Sequence, residues 1–381
     1  MIYRDFQDLK LSALGMGAMR LPVIDGDDTR VDQELVNKMV ACAMEGGVNY
    51  YDTAWGYHGG QSELAMGRAL AAYPRESFYL ADKFPGYDLS NMDKVEEIFE
   101  KQLEKCGVEY FDFYLIHNVC ELNIEEYLNP AHRIYDYLTA QKKNGRIRHL
   151  GFSAHGSRAV IERFLSVYGD AMEFCQLQIN YLDWNFQDAK GKVDLLRGRG
   201  LPVWVMEPVR GGSLASLKPE YEERLRALRP DEAIPAWAFR FLQSIPEVTV
   251  TLSGMSNLEQ MQQNIATFGE EKPLSVQEMD ALLGIADEMV KKIALPCTAC
   301  RYCTDGCPEH ILIPDLFSCM NAKQLCRDWN SDCYYEVYTE NHGKASDCIG
   351  CGKCEHSCPQ HLPIRELLKE VAKTFEGGEA E

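Results

Sequence analysis

Two cysteine-rich runs near the end of the chain have the spacing of metal-cluster ligands. The first, CTACRYCTDGCP, spans residues 297–308, and the second, CIGCGKCEHSCP, spans residues 348–359. Both follow the pattern CxxCxxCxxxCP, in which three cysteines hold one 4Fe-4S cluster and the fourth, before proline, ligates the other cluster. A zinc site needs only four ligands, typically from two CxxC pairs, and buried thiols would require two accidental matches. The sequence therefore predicts two 4Fe-4S clusters.

The doubled pattern assigns four cysteines to each cluster. The predicted ligands of one cluster are Cys297, Cys300, Cys303 and Cys358, and those of the other are Cys348, Cys351, Cys354 and Cys307. The remaining cysteines lie in apolar or helical contexts, where a free thiol packs as a small hydrophobe: Cys42, Cys106, Cys120, Cys175, Cys319, Cys326 and Cys333. The last three recur every seven residues, but on a helix this spacing separates neighbours by about 10 Å along the axis, too far to chelate one centre.

Polar residues also end three successive apolar runs in the first third of the chain. Asp52 and Tyr57 follow one run in YYDTAWGYHGG, Lys83 ends the next in FYLADKF, and His117 ends the third in FYLIHN. One such residue alone would usually be a structural or solvated group, and DTA could be turn chemistry. Four of them at the ends of successive strands indicate an active site.

The elements that must position these residues alternate regularly along the chain. Eight apolar, strand-length runs, from LSALGMG to VTVTLSGM, are separated by amphipathic segments such as DQELVNKMVACAMEGG, which have helical periodicity and end in glycine. Eight such alternations over nearly 290 residues favour a closed (β/α)8 TIM barrel, an α/β fold, for residues 1–290. A Rossmann sheet is disfavoured because GMGAMRLP, after the first strand, lacks the glycine fingerprint. In a barrel, the carboxyl ends of all eight strands converge, which would bring the four polar residues together.

The composition limits the partners and the compartment. The chain has 381 residues, of which 46% are hydrophobic, enough for one large domain and a small one or for two domains. No apolar run exceeds strand length and the N-terminus is charged, so we expect no membrane segment and no signal peptide. A net charge of -19 disfavours nucleic acid and anionic lipid as partners. Fifteen cysteines without a secretion signal fit the reducing cytoplasm.

The motifs DTAWGY, the strand-end lysine, YLIH and the later GFSAH together resemble the aldo-keto reductase superfamily over the whole predicted barrel. The resemblance implies that Asp52, Tyr57, Lys83 and His117 form a catalytic tetrad. Tyr57 would give a proton to a carbonyl oxygen as hydride reaches the carbon, although a phenol with a pKa near 10 is a poor acid at neutral pH. Lys83 would lower that pKa, Asp52 would hold Lys83 charged and oriented, and His117 would hydrogen-bond the carbonyl oxygen.

The same resemblance implies a site for NADP(H) or NAD(H). Ser153 and Gln176 would bind the nicotinamide carboxamide, and the loop PVRGGSL, residues 208–214, would run along the pyrophosphate. The residues implied around the nucleotide are Ser153, Gln176, Met206, Pro208, Arg210, Gly212, Gly254, Gln260 and Asn264. Three positions depart from the family pattern: Ala154 replaces a common Asn, Met206 replaces a stacking ring, and Gln260 replaces an Arg that pairs with the 2′-phosphate. Because an amide cannot reproduce the charged, bidentate grip of a guanidinium, the preference between NADH and NADPH stays open.

The segment between the two cysteine runs has few β signals and is longer than the linker of a compact ferredoxin hairpin fold. We therefore expect helices, and residues 291–375 resemble a small, mainly α-helical ferredoxin-type domain with two 4Fe-4S clusters. Residues 376–381 are predicted to be a disordered tail.

Three functions remain open at this point. The first is an aldo-keto reductase-like iron-sulfur oxidoreductase that acts on a small carbonyl or alcohol and whose clusters exchange electrons with a partner protein. The second is an NAD(P)H-dependent carbonyl reductase with purely structural clusters. The third is an electron-transfer or binding protein without turnover, for which Ala154, Met206 and Gln260 are the only signs. No flavin motif is visible that would couple hydride transfer to one-electron carriers.

Overall fold

The structure, a computed structural model, describes residues 1–293, 295, 297, 301, 303–304, 306–326, 330–358 and 361–377. Cys300, one of the predicted ligands, and residues 378–381 of the predicted tail lie outside the described residues. The chain divides into two compact units, Met1–Met279 and Asp280–Glu381. The boundary predicted at residue 290 falls inside a helix that spans Val276–Ile293.

Unit 1 is built on a closed parallel barrel. The strands are β1 (Tyr3–Phe6), β2 (Leu9–Ser12), β3 (Leu14–Gly17), β4 (Tyr50–Asp52), β5 (Tyr79–Phe84), β6 (Phe111–Val119), β7 (Ile147–Ala154), β8 (Cys175–Gln178), β9 (Val203–Met206) and β10 (Val248–Gly254). In the described part of the chain, β3 to β10 close in sequence order, with β10 hydrogen-bonded to β3. The predicted (β/α)8 barrel is therefore confirmed, and each of the eight apolar runs contributes one barrel strand.

The N-terminal hairpin, β1 paired with β2, was not predicted. The run LSALGMG was expected to form one strand, but Leu11 and Ser12 belong to β2 and only Leu14–Gly17 enters the barrel. Ser12 marks the break, because its hydroxyl donates to Leu14 O at 2.7 Å and accepts from Asn49 N at 3.0 Å. The hairpin also places Phe6 in the aromatic core of the barrel, 5.1 Å from the Trp204 ring.

Helices connect the strands and cover the barrel, and further helices form unit 2. The described helices are α1 (Gln33–Glu45), α2 (Ser62–Leu70), α3 (Val95–Cys106), α4 (Ile124–Leu128), α5 (Ile134–Lys143), α6 (Arg158–Tyr168), α7 (Asp183–Phe186), α8 (Ala189–Gly198), α9 (Pro219–Leu228), α10 (Ile234–Gln243), α11 (Leu258–Thr267), α12 (Val276–Ile293), α13 (Ile313–Cys326), α14 (Asn330–Thr339), α15 (Lys353–His356) and α16 (Ile364–Phe375). Among the described helices, none is both long enough and apolar enough to cross a bilayer.

Unit 2 is helical, as predicted. Its core contains Leu316 and Phe317 of α13, Tyr335 of α14 and Leu368 of α16. The Tyr335 and Phe375 rings stack with their centroids 4.6 Å apart. Glu376, which the sequence assigned to the tail, accepts hydrogen bonds from Tyr335 Oη at 2.5 Å and from Ser346 N at 3.0 Å.

Each cysteine run of unit 2 is tied to the helix that follows it by an ion pair. Arg301 in the first run pairs with Asp315 in the first turn of α13, with both guanidinium Nη atoms donating at 2.9 and 2.6 Å. Glu355 in the second run pairs with Arg365 in the first turn of α16, at 2.8 Å. The two halves of the unit therefore have equivalent ion pairs with opposite polarity: the first cysteine run supplies the arginine, and the second supplies the glutamate.

Candidate active site

Three of the four predicted tetrad residues are joined by hydrogen bonds at the carboxyl ends of β4 and β5. Lys83 is fully buried, and its ammonium donates to Asp52 Oδ1 at 2.6 Å and to the Thr53 carbonyl oxygen at 2.7 Å. It also lies 3.5 Å from Tyr57 Oη. Tyr57 opens a short 3-10 turn, Tyr57–Gly60, in the loop after β4. The structure thus brings an acid, a base and a phenol together where the sequence placed them.

The charges at this cluster are set by burial and by close pairing. Burial opposes the charge on Lys83, but Asp52 and Tyr57 outweigh it and raise the Lys83 pKa above its usual value, so the lysine is an ammonium at neutral pH. For Tyr57, burial is the largest effect and raises the pKa of the phenol, while Lys83 is the strongest influence lowering it. The sequence analysis considered only the effect of Lys83, which lowers the Tyr57 pKa. In the structure the Tyr57 pKa is raised overall, because burial destabilises the phenolate more than Lys83 stabilises it.

His117, the fourth residue, lies beside Tyr57 near the end of β6. Its ring centroid is 6.2 Å from that of Tyr57 and 5.2 Å from that of Tyr87, and both pairs meet edge to face. The Tyr127 hydroxyl donates to the His117 carbonyl oxygen at 2.6 Å, which fixes the backbone. Burial and the nearby Lys83 charge hold the His117 pKa well below its usual value, so the imidazole is neutral. Among the described residues, its buried Nδ1 has no hydrogen-bond partner.

A buried acid pair, missed in the sequence, lies directly behind Lys83. Asp82 Oδ1 accepts from Lys83 N and from Gln102 Nε2 of α3, each at 2.8 Å. Burial and the neighbouring Glu63 of α2 raise the Asp82 pKa well above its usual value. Glu63 itself accepts from the Lys105 ammonium. Because alternate residues of a strand face opposite ways, an acid next to Lys83 must point outward toward the helices, and that was the available signal.

Two residues predicted to bind the nicotinamide carboxamide are neighbours on adjacent strands. Ser153 of β7 pairs in register with Gln176 of β8. Gln176 Nε2 donates to Met206 Sδ at 3.6 Å, whereas its buried Oε1 has no partner within the described residues. Ser153 Oγ accepts from Asn118 N at 2.8 Å, a contact that does not use its own proton. An acceptor without a partner beside a hydroxyl donor fits a primary amide such as the carboxamide of nicotinamide.

The loop after β9 has an unusual backbone. Glu207, Arg210, Gly211 and Gly212 all have positive φ angles, from 48 to 95 degrees. Pro208 is buried, and Gly211 and Gly212 are exposed, so backbone rather than side chain faces solvent there. Arg210 is buried instead, and its Nε donates to Asp183 Oδ2 at 3.0 Å. The guanidinium of Arg210 is therefore part of a structural ion pair.

The residues after β10 surround the start of α11. Gly254 is exposed, and Asn264 Nδ2 donates to Ser253 Oγ at 3.1 Å. Gln260 is also exposed; its side chain accepts from Ser256 N at 2.8 Å, and its own N donates to the helix-capping Asn257 at 2.9 Å. Lys272, another cation near this end of the sequence, pairs with Glu232 at 3.0 Å.

Most of the predicted cluster ligands belong to one core in unit 2. Cys303, Cys354 and Cys358 are buried in that core, and Cys297, Cys307 and Cys348 pack against it. Among the described residues, no group of three side chains already forms a metal-binding set. The donor chemistry, thiolates in CxxCxxC spacing within an apolar core, fits iron-sulfur clusters.

Comparison with known proteins agrees with both units. Residues 13–287 match the family model described as Aldo/keto reductase family, and residues 296–363 match the model of a 4Fe-4S dicluster domain. The NADH-specific methylglyoxal reductase of Escherichia coli is 23% identical over 72% of this chain and 94% of its own length. L-galactose dehydrogenase of Arabidopsis thaliana is 24% identical over 76% of this chain and 94% of its own length.

Solved structures support the same fold. The holo form of aldo-keto reductase AKR11C1 from Bacillus halodurans superposes with a TM-score of 0.60 at 23% identity, covering 75% of this chain and 96% of that one. An aldo/keto reductase from Klebsiella pneumoniae, solved with NADP and acetate, gives a TM-score of 0.59 at 16% identity, over 74% of this chain and 93% of that one. With the match to the family model spanning most of the chain, this protein belongs to the aldo/keto reductase family and carries an iron-sulfur domain of the 4Fe-4S dicluster type.

Proposed function

We propose that this protein reduces a small carbonyl compound, or oxidises the corresponding alcohol, with NAD(P)H, and that two 4Fe-4S clusters pass electrons to or from a partner protein. The observation that carries the first part is the hydrogen-bonded group of Asp52, Lys83 and Tyr57, with neutral His117 beside it. Gln176 and Ser153 support a nicotinamide site at the neighbouring strands.

The chemistry of reduction divides between the two sides of this site. When bound, the nicotinamide supplies hydride to the carbonyl carbon. Tyr57 gives its phenolic proton to the carbonyl oxygen as charge develops there, so the product is a neutral alcohol and the tyrosine becomes a phenolate. Lys83, 3.5 Å from Tyr57 Oη, stabilises that phenolate, and Asp52 holds the ammonium in place. His117, neutral and beside Tyr57, is positioned to hydrogen-bond the same oxygen.

The proposed role of the clusters follows from the ligand set. Cys297, Cys300, Cys303 and Cys358 would hold one cluster, and Cys348, Cys351, Cys354 and Cys307 the other. Two clusters can hold two electrons, the number moved by one hydride. Because the carbonyl takes up both electrons of the hydride, the clusters would serve a separate step, in which two electrons from a one-electron carrier protein, passed through a mediator such as a flavin, and one proton return NAD(P)+ to NAD(P)H. In the direction of alcohol oxidation, the same route would carry the two electrons of NAD(P)H to the partner. The second candidate, supported by the burial of three of these cysteines in the core, is that the clusters only stabilise unit 2.

The substitution Tyr57→Phe tests the catalytic assignment. It keeps the ring and removes only the acid, so we expect kcat to fall by about 10²- to 10⁴-fold with little change in nucleotide affinity. Tyr87→Phe is the matched control, because Tyr87 makes the same kind of edge contact with His117, whereas the contact with the Lys83 ammonium belongs to Tyr57. A Tyr57→Phe variant with wild-type turnover, on a substrate limited by chemistry, would refute the assignment. The activities of the two relatives suggest starting with small aldehydes and aldose sugars.

The substitution Cys351→Ser tests the cluster assignment. Anaerobically purified protein should contain iron and acid-labile sulfide for two 4Fe-4S clusters, and Cys351→Ser should lose part of both. Cys42→Ser in α1 should keep both, since Cys42 is not a predicted ligand. Stoichiometric zinc without sulfide would contradict the assignment. Reduction or oxidation of the clusters during turnover would favour electron transfer over a structural role.

A further inference from the structure

Arg20 lies between the two loops that were predicted to hold the nucleotide. It ends the short turn Ala18–Arg20 directly after β3. Its carbonyl oxygen accepts from Ser256 Oγ, in the loop after β10, at 2.9 Å. A Cβ placed on Gly254 would lie 3.1 Å from Cβ and Cγ of Arg20. The aliphatic part of the Arg20 side chain therefore lies directly on Gly254.

The guanidinium of Arg20 reaches across to the loop after β9. Its Nη2 lies 3.2 Å from Glu207 Oε1. A Cβ placed on Gly211 would come within 3.0 Å of the same nitrogen. The Arg20 side chain is 38% exposed, and Gly211 has a φ of 63 degrees, in the left-handed region. The positive charge of Arg20 therefore lies next to exposed glycine backbone at the surface.

Two other cations considered for the phosphates are paired with carboxylates. Arg210 is buried against Asp183, and Lys272 pairs with Glu232. The protein carries a net charge of -19, so an anionic dinucleotide needs a local cation to offset repulsion. A guanidinium matches phosphate oxygens in charge and in geometry, and glycine lets a phosphate approach the backbone closely.

We propose that Arg20 binds the pyrophosphate of the dinucleotide, with Glu207 holding the guanidinium at the mouth of the site until the phosphates take its place as partner. This inference rests on the proposed function, because it assumes that a nicotinamide dinucleotide binds. The pyrophosphate is favoured over the 2′-phosphate because the guanidinium lies at Gly211, whereas Gln260, the position expected to meet the 2′-phosphate, lies at the start of α11. NADH and NADPH share the pyrophosphate, so both should depend on Arg20 equally.

Calorimetric titration of NADH and NADPH into the full-length protein and the variant Arg20→Met tests the proposal. Methionine keeps an apolar side chain on Gly254 and removes the charge. We expect both affinities to fall by the same factor, about tenfold or more, the loss of one charged hydrogen bond. Arg30→Met is the matched control, because Arg30 forms an ion pair of the same length, 3.2 Å, with Asp25 on the surface. Arg20→Lys should recover part of the lost affinity. Thermal melting curves of both Arg20 variants show whether either one has a folding defect.

The possible outcomes separate this inference from the proposed function. Unchanged affinity of Arg20→Met for both nucleotides, with wild-type binding intact, would overturn the role of Arg20 and leave the proposed function standing. A loss confined to NADPH would overturn the pyrophosphate assignment. If the wild-type protein bound neither nucleotide, the proposed function and this inference would fall together.

Discussion

The two sides of the barrel mouth differ in how their charged and polar groups are held: the buried charge on the tetrad side is paired by the protein, although His117 Nδ1 and Asp52 Oδ2 there lack a hydrogen-bond partner among the described residues. On the tetrad side, Lys83 is fully buried and its ammonium contacts Asp52, Thr53 and Tyr57. On the nucleotide side, Gln176 Oε1 is buried without a partner among the described residues, and Gly211 and Gly212 expose their backbone. Groups that must stabilise charge during reaction are fixed in advance, which is what electrostatic catalysis requires. On the side proposed to bind the nucleotide, Gln176 Oε1 and the exposed backbone of Gly211 and Gly212 are open to a ligand.

The largest expected effect is on the tetrad side, where Lys83→Met removes one partner of a buried ion pair. Asp52 would be left without its ammonium, so we expect the free energy of unfolding to fall by about 3 to 5 kcal/mol. Urea denaturation measures this change. The double variant Lys83→Met/Asp52→Asn should recover part of the loss, because it removes the uncompensated charge. A single variant as stable as the wild type would show that the tetrad side is not held by this pair.

On the nucleotide side, Gln260→Arg should replace a neutral side chain, whose oxygen accepts from Ser256 N, with a charged group that can contact the 2′-phosphate. The side chain of Gln260 is exposed, and a guanidinium there would meet the 2′-phosphate. We expect NADPH to bind about tenfold or more tightly, with NADH unchanged, because a charged hydrogen bond contributes about 1.5 to 3 kcal/mol. Calorimetry with both nucleotides measures the selectivity. Equal gains for NADH and NADPH would contradict the placement of the 2′-phosphate at α11.

Gln176→Leu tests this difference, because Gln176 is as buried as Asp52 and Lys83 and its Oε1 lacks a partner in the described structure. We expect both nucleotides to bind several-fold more weakly, corresponding to about 1 kcal/mol for one hydrogen bond. The free energy of unfolding should stay near that of the wild type, in contrast to Lys83→Met. Strong destabilisation without loss of nucleotide affinity would show that Gln176 has a structural role and does not bind the nucleotide.

The smallest effect is expected from Asp82→Asn at acidic pH. The amide keeps the acceptor for Lys83 N and Gln102, so at about pH 5 the free energy of unfolding should change by less than about 1 kcal/mol. The pKa of Asp82 is raised in the folded state, so the folded protein holds a proton that the unfolded chain releases. Wild-type stability should therefore fall as the pH rises above the unfolded value near 4, and the variant should lose less.

Glu63→Gln is the contrasting change in the same pair. It leaves the Lys105 ammonium without its carboxylate, so it should destabilise the protein at neutral pH, where Asp82→Asn does not. Parallel pH profiles for wild type and Asp82→Asn would show that Asp82 is ionised in the folded protein.

The sequence predicted the barrel well because strand and helix periods alternate regularly, and it placed the tetrad because strand ends converge in such a barrel. It did not predict the β1–β2 hairpin, since LSALGMG is continuous in apolar character and only the hydrogen bonds of Ser12 with Leu14 and Asn49 reveal the break. The sequence analysis predicted that Lys83 lowers the Tyr57 pKa. It did not predict the larger, opposite effect of burial, because burial depends on the assembled fold.

Contacts between residues distant in sequence also could not be predicted from the sequence. Arg20 was not identified from the sequence, because its position is defined by contacts with Glu207 and Gly254, which lie near it only in the closed barrel. Asp82 was passed over for the same reason, since Glu63 and Gln102 are brought to it by α2 and α3. The prediction of the cluster cysteines needed no such information, because it rests on their spacing along the chain alone.

The most direct test of the account is to follow the hydride itself. The protein is mixed anaerobically with a small aldehyde and with reduced nicotinamide dinucleotide that carries deuterium at its hydride-donating carbon, and the alcohol is analysed by mass spectrometry. We expect one deuterium on the former carbonyl carbon, with formation of the product lost in Tyr57→Phe. Alcohol without deuterium, formed equally well by Tyr57→Phe, would contradict direct reduction at the tetrad.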